Sequence, residues 1–140
     1  QKDFENNLLL KEKIENINSN LNDIADLNIK VNIGRTNLKF LIFLAANNFY
    51  GLKLKYGINQ IFEMFMLVTE RLRAFHSYET KTVLIQQLKS RYSKMNEGDF
   101  ETLKGYYESI SLLRKGTHKL DKFEILMKHL VKLIEYEFEM

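Results

Sequence analysis

The chain has 140 residues, 45% of them apolar, and it contains no proline, cysteine or tryptophan. This length predicts a single domain, the apolar content suffices for a core, and the lack of proline permits long helices. The lack of cysteine excludes a disulfide framework, a thiolate metal site and a cysteine nucleophile. No apolar run reaches the roughly 20 residues of a membrane span. Because the chain begins with Gln1 rather than Met, we interpret it as a fragment or mature domain whose targeting segment lies upstream.

The net charge of +3 is unevenly distributed along the chain. Residues 35–95 carry ten basic and three acidic side chains, a net charge of +7, whereas residues 1–34 and 96–140 each carry −2. A basic middle segment suits an acidic partner such as nucleic acid, an anionic surface or an acidic protein patch. A solvated lysine face is the commoner explanation of such a segment.

The first predicted helix runs from Asp3 to Val31 and carries a heptad repeat. Spacings of four and three alternate along its apolar seam, which predicts a long helix with a narrow buried stripe. The seam consists of Leu10, Ile14, Ile17, Leu21, Ile24, Asn28 and Val31. Asn28 interrupts the seam, and a buried amide there would fix the packing register at some cost in stability. The outer faces are expected to carry Asn16, Asn18, Asn20 and Asn22.

Two further helices are predicted before residue 76. The second begins at Thr36, which has the side chain of a good cap, and continues to about Tyr56. It tolerates Gly51 in its interior and ends at Gly57, a residue type common just after a helix. The third starts near Asn59 and is apolar over much of its girth, so it is expected to lie centrally.

The C-terminal half predicts further helices with short connections. His76–Thr80 is polar without glycine, so either a short turn lies there or the helix runs straight through. Asn96–Asp99 forms a loop whose last residue is a good cap, and Arg114–Gly116 ends the helix that follows. The last helix is capped either by Thr117 or by the capping box Asp121–Glu124. No segment shows useful alternation of period two, so we predict an all-α fold. We expect one domain over residues 1–140, an antiparallel bundle of four long helices with or without one shorter helix.

No residue pattern predicts catalysis, a cofactor or a bound metal. Arg71 and His76 match the arginine–histidine spacing of HEPN-type ribonucleases, but those enzymes usually have a polar residue where this chain has Leu72. Such short matches arise by chance in a basic helix. His76, His118 and His129 are far apart, and none has a second ligand at a recognised spacing. No serine has a nucleophile context, so we predict a protein without enzymatic activity.

Cations stand at two predicted helix starts, where the helix dipole favours acidic side chains instead. Arg35 follows Gly34 on a tight connection and stands beside a helix N-terminus, where the helix dipole does not favour a cation. Lys119 and Lys122 lie in the opening turn of the last helix, with the same disadvantage. Ordinary surface lysines remain the commoner explanation. Departures from local rules tend to mark function, however, so these three cations are the candidate partner-binding residues.

The whole chain resembles a known family of surface proteins. It is rich in Lys, Asn, Ile, Leu and Phe and lacks Cys, Trp and Pro, and in this it is similar to the ectodomain of a Borrelia-type spirochaete surface lipoprotein. Within that group it resembles the C-terminal helical domain of the fibronectin-binding lipoproteins. The length, the long opening helix, the arginine between the first two helices and a lysine early in the last helix carry the resemblance.

The resemblance implies a complement inhibitor. The family's domain binds the r-subunit protease of the first complement component and blocks the classical, antibody-triggered pathway. By resemblance, the inter-helix arginine is Arg35 and the lysine of the last helix is Lys122, with Lys119 as the alternative. It also implies a lipid-anchored protein on the outer membrane at the cell surface, with fibronectin binding in an upstream region.

A second interpretation belongs to a different functional class. The chain could be an intracellular helical module that binds nucleic acid, or acts as a scaffold, through the basic segment 35–95. A nucleic-acid binder needs many lysines and loses affinity steeply with salt. The inhibitor, in contrast, depends on Arg35 above all other residues.

Overall fold

A computed structural model of the chain describes residues 2–114 and 120–140. The described residues form six α-helices and two short 3-10 segments, and none of them forms a β-strand. The helices are α1 (Lys2–Lys30), α2 (Arg35–Ala46), α3 (Ile58–Leu72), α4 (Tyr78–Arg91), α5 (Glu97–Arg114) and α6 (Leu120–Phe138). The 3-10 segments are Asn48–Leu54 and Arg73–His76. The all-α prediction is therefore confirmed, whereas the count of four long helices is not.

The helices belong to two compact units, Gln1–Ile58 and Asn59–Met140, each of which is described by itself. The first unit contains α1, α2 and the first 3-10 segment, and the second contains the remaining elements. A single domain over the whole chain stays a prediction.

In the first unit, α1 and α2 pack against each other beside one buried amide. Asn20 is fully buried, and its Nδ2 donates hydrogen bonds to the carbonyl of Ala45 at 3.3 Å and to Oδ1 of Asn48 at 3.0 Å. Its Oδ1 accepts a hydrogen bond from Nζ of Lys53 at 2.6 Å. Because a buried amide is tolerated only when its polar atoms have partners, these three bonds fix the register of α1 against the residues that follow α2.

The heptad repeat predicted that Asn28 would be the buried amide that fixes the register of α1, and this prediction is wrong. Asn28, expected in the buried seam, is exposed near the end of α1, whereas Asn20, expected on an outer face, is buried. The physical reason is the position of the polar partners, because the last turn of α2 and the residues after it supply three of them to Asn20. The seam itself is buried at Ile24 and half-buried at Ile17 and Leu21, and it is exposed at Leu10, Ile14 and Val31.

A left-handed turn separates α2 from α3, so the prediction of one helix from Thr36 to Tyr56 is wrong. Four consecutive residues have positive φ: Asn48 at 51°, Phe49 at 53°, Tyr50 at 50° and Gly51 at 86°. Left-handed conformations cost roughly 1–2 kcal/mol for each non-glycine residue. Two features offset this cost, since the Phe49 side chain is fully buried and the Asn48 side chain accepts a hydrogen bond from Asn20.

In the second unit, α5 and α6 pack antiparallel. Ser109 Oγ on α5 lies 3.0 Å from His129 Nδ1 on α6. The ring of Tyr106, one turn earlier on α5, contacts the rings of both His129 and Tyr136, with centroids 5.0 Å and 6.4 Å apart. Earlier residues of α5 therefore meet later residues of α6, as expected for neighbouring helices joined by a short connection.

Two side-chain caps set the starts of α4 and α5. Ser77 Oγ accepts a hydrogen bond from the backbone N–H of Thr80 at 3.3 Å, so a turn and not a continuous helix lies at His76–Thr80. The Asn96 side chain accepts from the backbone N–H of Asp99 at 2.8 Å. The helix therefore begins at Glu97, with Asn96 as its cap. The prediction that Asp99 is the cap is wrong, because Asn96 already binds an N–H group that has no partner within the first turn of the helix.

The boundary between α5 and α6 is only partly described. Three residues named in the predictions lie outside the described residues: Lys115, expected in the last turn of α5, Gly116, expected just after it, and the predicted cap Thr117. Helix α6 already includes Leu120, so Asp121 lies inside the helix and not at its cap. The Asp121 carboxylate accepts a hydrogen bond from the backbone N–H of Lys122 at 3.0 Å.

Candidate partner-binding site

The candidate site is the corner between α1 and α2, which we call the Arg35 corner (residues 31–36). Gly34 is the N-cap residue of α2, with φ 85° and ψ 153°, a combination that is essentially restricted to glycine. Its carbonyl accepts the first helical hydrogen bond, from the N–H of Leu38 at 2.9 Å. The prediction that Thr36 caps α2 is wrong, because the helix already begins at Arg35 and has no side-chain cap.

Arg35 is the first residue of α2 and its side chain is exposed. It makes no ion pair or side-chain hydrogen bond with any residue that the structure describes. The first turn of α2 contains no acidic residue, so nothing in that turn offsets the unfavourable position of a cation at the positive end of the helix dipole. Local stability therefore does not explain Arg35, which stays a candidate partner-binding residue.

We expect Gly34→Ala to lower the free energy of unfolding by about 1–3 kcal/mol, the range for a residue held in a sparsely populated backbone conformation. An added Cβ would meet no atom within 4 Å, so the loss would come from backbone strain and not from a steric clash. Denaturant titration followed by circular dichroism measures it. The matched control is Gly105→Ala inside α5, where the added Cβ also meets nothing and a gain of about 0.5–1 kcal/mol is expected. Equal effects of the two substitutions would contradict the conformational role of Gly34.

Exposed apolar side chains lie at the corner and just before it, and neither was predicted to be exposed. Ile29 is 83% exposed at the end of α1, and Val31 just after it is 45% exposed. Ile29 lies outside the heptad seam, and an off-seam isoleucine was the signal available in the sequence. Exposed apolar residues beside an exposed arginine are typical of protein-binding surfaces.

Of the two candidate partner-binding lysines, Lys119 and Lys122, only Lys122 lies among the described residues. Lys122 lies in the first turn of α6, in the second unit, and is exposed. It makes no ion pair with any residue in the described part of the chain. Unlike Arg35, it has a carboxylate beside it, Asp121, which moderates the local positive charge of the helix N-terminus. Lys119 lies outside the described residues.

Arg71 belongs to a buried charge cluster in the second unit, not to a site shared with His76. The Glu137 side chain is fully buried, and its Oε2 lies 3.0 Å from Nη1 of Arg71. Its Oε1 lies 3.0 Å from Nη2 of Arg91, and it also accepts a hydrogen bond from the Tyr92 hydroxyl. His76 is exposed, and its Nδ1 lies against the backbone carbonyl of Arg73.

The pKa shifts in this cluster follow from burial and charge pairing. Burial alone would raise the pKa of Glu137, but the hydrogen bonds from Arg71 and Tyr92 outweigh burial and hold that pKa below its ordinary value. Burial raises the pKa of Tyr92, and its hydrogen bond to Glu137 raises it further. Burial would lower the pKa of Arg71, but its bonds to Glu137 and Tyr107 raise it overall. At neutral pH the Glu137 carboxylate is therefore ionised and the Tyr92 phenol is neutral. The carboxylate is the centre of the cluster, because Arg71, Arg91 and Tyr92 all contact it.

The described part of the chain contains neither a metal-binding cluster nor a membrane-spanning helix. Over residues 2–114 and 120–140, no group of three histidine, aspartate or glutamate side chains is arranged to hold a metal ion. In the same part of the chain, no helix is both long and apolar enough to cross a bilayer.

The chain matches no protein-family model, no curated protein sequence and no solved structure. The family resemblance consequently depends on the architecture and on the positions of Arg35 and Lys122, and membership of that family stays a proposal.

Proposed function

We propose that this chain is a non-covalent inhibitor of a trypsin-like serine protease, with Arg35 entering the acidic pocket that binds the substrate's arginine or lysine. The observation that supports the proposal is the exposed, unpaired guanidinium at the start of α2. An aspartate at the base of such a pocket recognises cations, and a guanidinium can bind a carboxylate through two parallel hydrogen bonds.

The helical setting of Arg35 favours inhibition over cleavage. Proteases bind their substrates as extended strands, whereas Arg35 is followed by helical backbone that begins with the hydrogen bond between Gly34 and Leu38. Cleavage after Arg35 would require the first turn of α2 to unwind. A pre-organised corner also lowers the entropy lost on binding, so the domain is suited to blocking the cleft sterically.

Following the family resemblance, we propose the r-subunit protease of the first complement component as the partner and the cell surface as the location. The anchor would be a lipidated segment upstream of this chain. Lys122, with Lys119 as the alternative, would meet a second acidic surface and accelerate association.

The proposed scaffold is an antiparallel bundle built mainly from four long helices. Its support is that α1, α3, α5 and α6 are the four longest described helices, with 29, 15, 18 and 19 residues.

A competition experiment tests the proposal. The chain is titrated onto immobilised, activated r-subunit protease by surface plasmon resonance, with and without benzamidine, a small arginine mimic that occupies the same acidic pocket. We expect benzamidine to suppress binding, and gel electrophoresis to show an uncleaved chain after prolonged incubation. Binding that is insensitive to benzamidine would contradict the assignment of Arg35 to that pocket.

The nucleic-acid alternative predicts different behaviour in a parallel measurement. The basic segment 35–95 would bind duplex DNA or RNA with an affinity that falls steeply as salt rises. Fluorescence anisotropy with a labelled oligonucleotide at two salt concentrations measures this. Tight, salt-sensitive binding to the oligonucleotide together with no binding to the protease would favour the alternative.

A further inference from the structure

The first half of α1 carries an exposed apolar ridge. Leu10 is 57% exposed and Ile14 is 50% exposed, although both belong to the heptad seam. Successive helical residues are rotated by about 100°, so Lys11 and Lys13 stand on opposite sides of this pair, and both are exposed. We call these four residues the α1 ridge: an apolar line with one cation on each flank.

A groove of complementary character lies between α3 and α4 in the second unit. It has a volume of about 560 Å³, within the range of pockets that bind ligands. We call it the α3–α4 groove, and its apolar lining and acidic rim come from Leu67, Ala74, Val83, Leu84, Glu70 and Glu79. Glu70 belongs to the α3 wall and Glu79 to the α4 wall, so each wall contributes one carboxylate.

The carboxylates of this groove are available to an external cation. Glu79 is exposed and makes no ion pair with any residue that the structure describes. Glu70 makes only a solvent-exposed pair with Arg73 at 3.3 Å, and such pairs contribute little. Arg71 also lines the groove, but its side chain is mostly buried and pairs with Glu137, which Arg91 shares. The exposed charged side chains of the lining are therefore the two rim carboxylates, Glu70 and Glu79.

We propose that the α1 ridge of a second copy of this chain docks in the α3–α4 groove. Leu10 and Ile14 would cover the apolar lining, and the two flanking lysines would reach the two glutamates on the rim. This is the helix-in-groove mode of recognition, with the charged flanks acting like the salt bridges beside a coiled-coil seam. The inference is independent of the protease-binding function, because it uses neither Arg35 nor Lys122.

The contact should be reciprocal. A stable dimer buries roughly 1,200–2,000 Å² in total, more than one short helical ridge provides, whereas a twofold dimer would contain the same contact twice. The proposal thus commits to a dimer in which each copy gives one α1 ridge and receives one.

Paired charge reversals on the full chain test this dimer. Variant A carries Glu70→Lys and Glu79→Lys, and variant B carries Lys11→Glu and Lys13→Glu. Sedimentation velocity is expected to show a dimer for the wild type and at least tenfold weaker self-association for each variant alone, because like charges then meet in both contacts. An equimolar mixture of A and B should restore the dimer, since each ridge then faces a groove of opposite charge.

A matched control and two outcomes make the experiment decisive. Glu63→Lys makes a single charge reversal of the same kind at an exposed α3 position outside the groove and should leave the dimer unchanged. Circular dichroism checks that all variants stay helical. A wild type that remains monomeric, or a mixture of A and B that associates no better than either variant alone, would overturn the proposal.

Discussion

Arg35→Ala is expected to weaken protease binding at least 100-fold while the helical fold persists. A fully desolvated arginine at the centre of an interface commonly contributes 2 kcal/mol or more, and 100-fold corresponds to about 2.7 kcal/mol. The fold should be insensitive, because Arg35 is exposed and pairs with no described carboxylate. Stability should even rise by a few tenths of a kcal/mol, because a cation leaves the positive end of α2. Surface plasmon resonance measures binding, and thermal unfolding measures stability.

The matched control for this variant is Arg73→Ala. Arg73 is an exposed arginine in the same basic segment, and its only ion pair with a described residue is the surface contact with Glu70. If the chain is a protease inhibitor, Arg35→Ala should cause a large loss of protease affinity and Arg73→Ala little change. If the chain binds nucleic acid, both substitutions should cause similar small losses of nucleic-acid affinity. Adding Lys122→Ala to Arg35→Ala should remove the remaining protease binding. A double variant that binds the protease as tightly as the wild type would refute the assignment.

Glu137→Gln is expected to lower the free energy of unfolding by about 3–5 kcal/mol, the typical cost of removing one partner from a buried ion pair. The substitution leaves the partly buried Arg71 without its counter-charge, and it weakens the hydrogen bond that Tyr92 donates. Denaturant titration at neutral pH measures the loss. The control on the same helix is Glu135→Gln, because Glu135 pairs with Lys132 near the surface at 3.5 Å. Such a pair is worth at most about 1 kcal/mol.

The same carboxylate predicts how stability depends on pH. The folded-state pKa of Glu137 lies below its ordinary value, which is about 4.3 for an unfolded chain. Its contribution is therefore complete above that ordinary value and is lost as the pH falls through the lower, folded-state pKa. Unfolding titrations from neutral into acidic solution should show a steeper loss for the wild type than for Glu137→Gln. Parallel pH profiles for the two proteins would show that Glu137 is not held ionised.

Local patterns in the sequence were sufficient for the all-α class and for the exposure of Arg35. Apolar spacing within one helix reports which face is buried, and a glycine beside a break in that spacing reports a corner. Both signals act over a few residues, so the break at Gly34 could be identified without knowing what packs on it. The cap was misplaced by two residues because Thr36 has a better cap side chain, while Gly34 has the backbone freedom that this corner needs.

Polar interactions between distant segments could not be derived in this way. Asn20 and Glu137 are buried because their partners come from other helices or from the turn after α2, and no local pattern reports such partners. Glu137 did leave a signal, since it continues the buried spacing of Leu130 and Ile134 along α6. A carboxylate on an apolar stripe indicates a buried cation elsewhere, but the sequence does not show that the cation is Arg71.

The left-handed turn was hidden by the continuous apolar spacing across it. Asn48 and Gly51 are residue types that tolerate positive φ, yet Phe49 and Tyr50 between them are not. Phe49 also falls four residues after Ala45, so the sequence pattern places it on the buried face of a continuous helix. In the structure Phe49 is buried as that spacing predicts, but it reaches the interior from a left-handed backbone.

The left-handed turn at residues 48–51 affects the order in which the first unit folds. Residues 48–51 have no local preference for their native conformation. They gain it only after α1 and α2 have come together, when the Phe49 ring can be buried and Asn20 can donate its hydrogen bond to Asn48. Such a segment is expected to be unformed in the transition state of folding. Substitutions within it would then accelerate unfolding and leave the folding rate nearly unchanged, which makes this turn the place to tune the lifetime of the native unit.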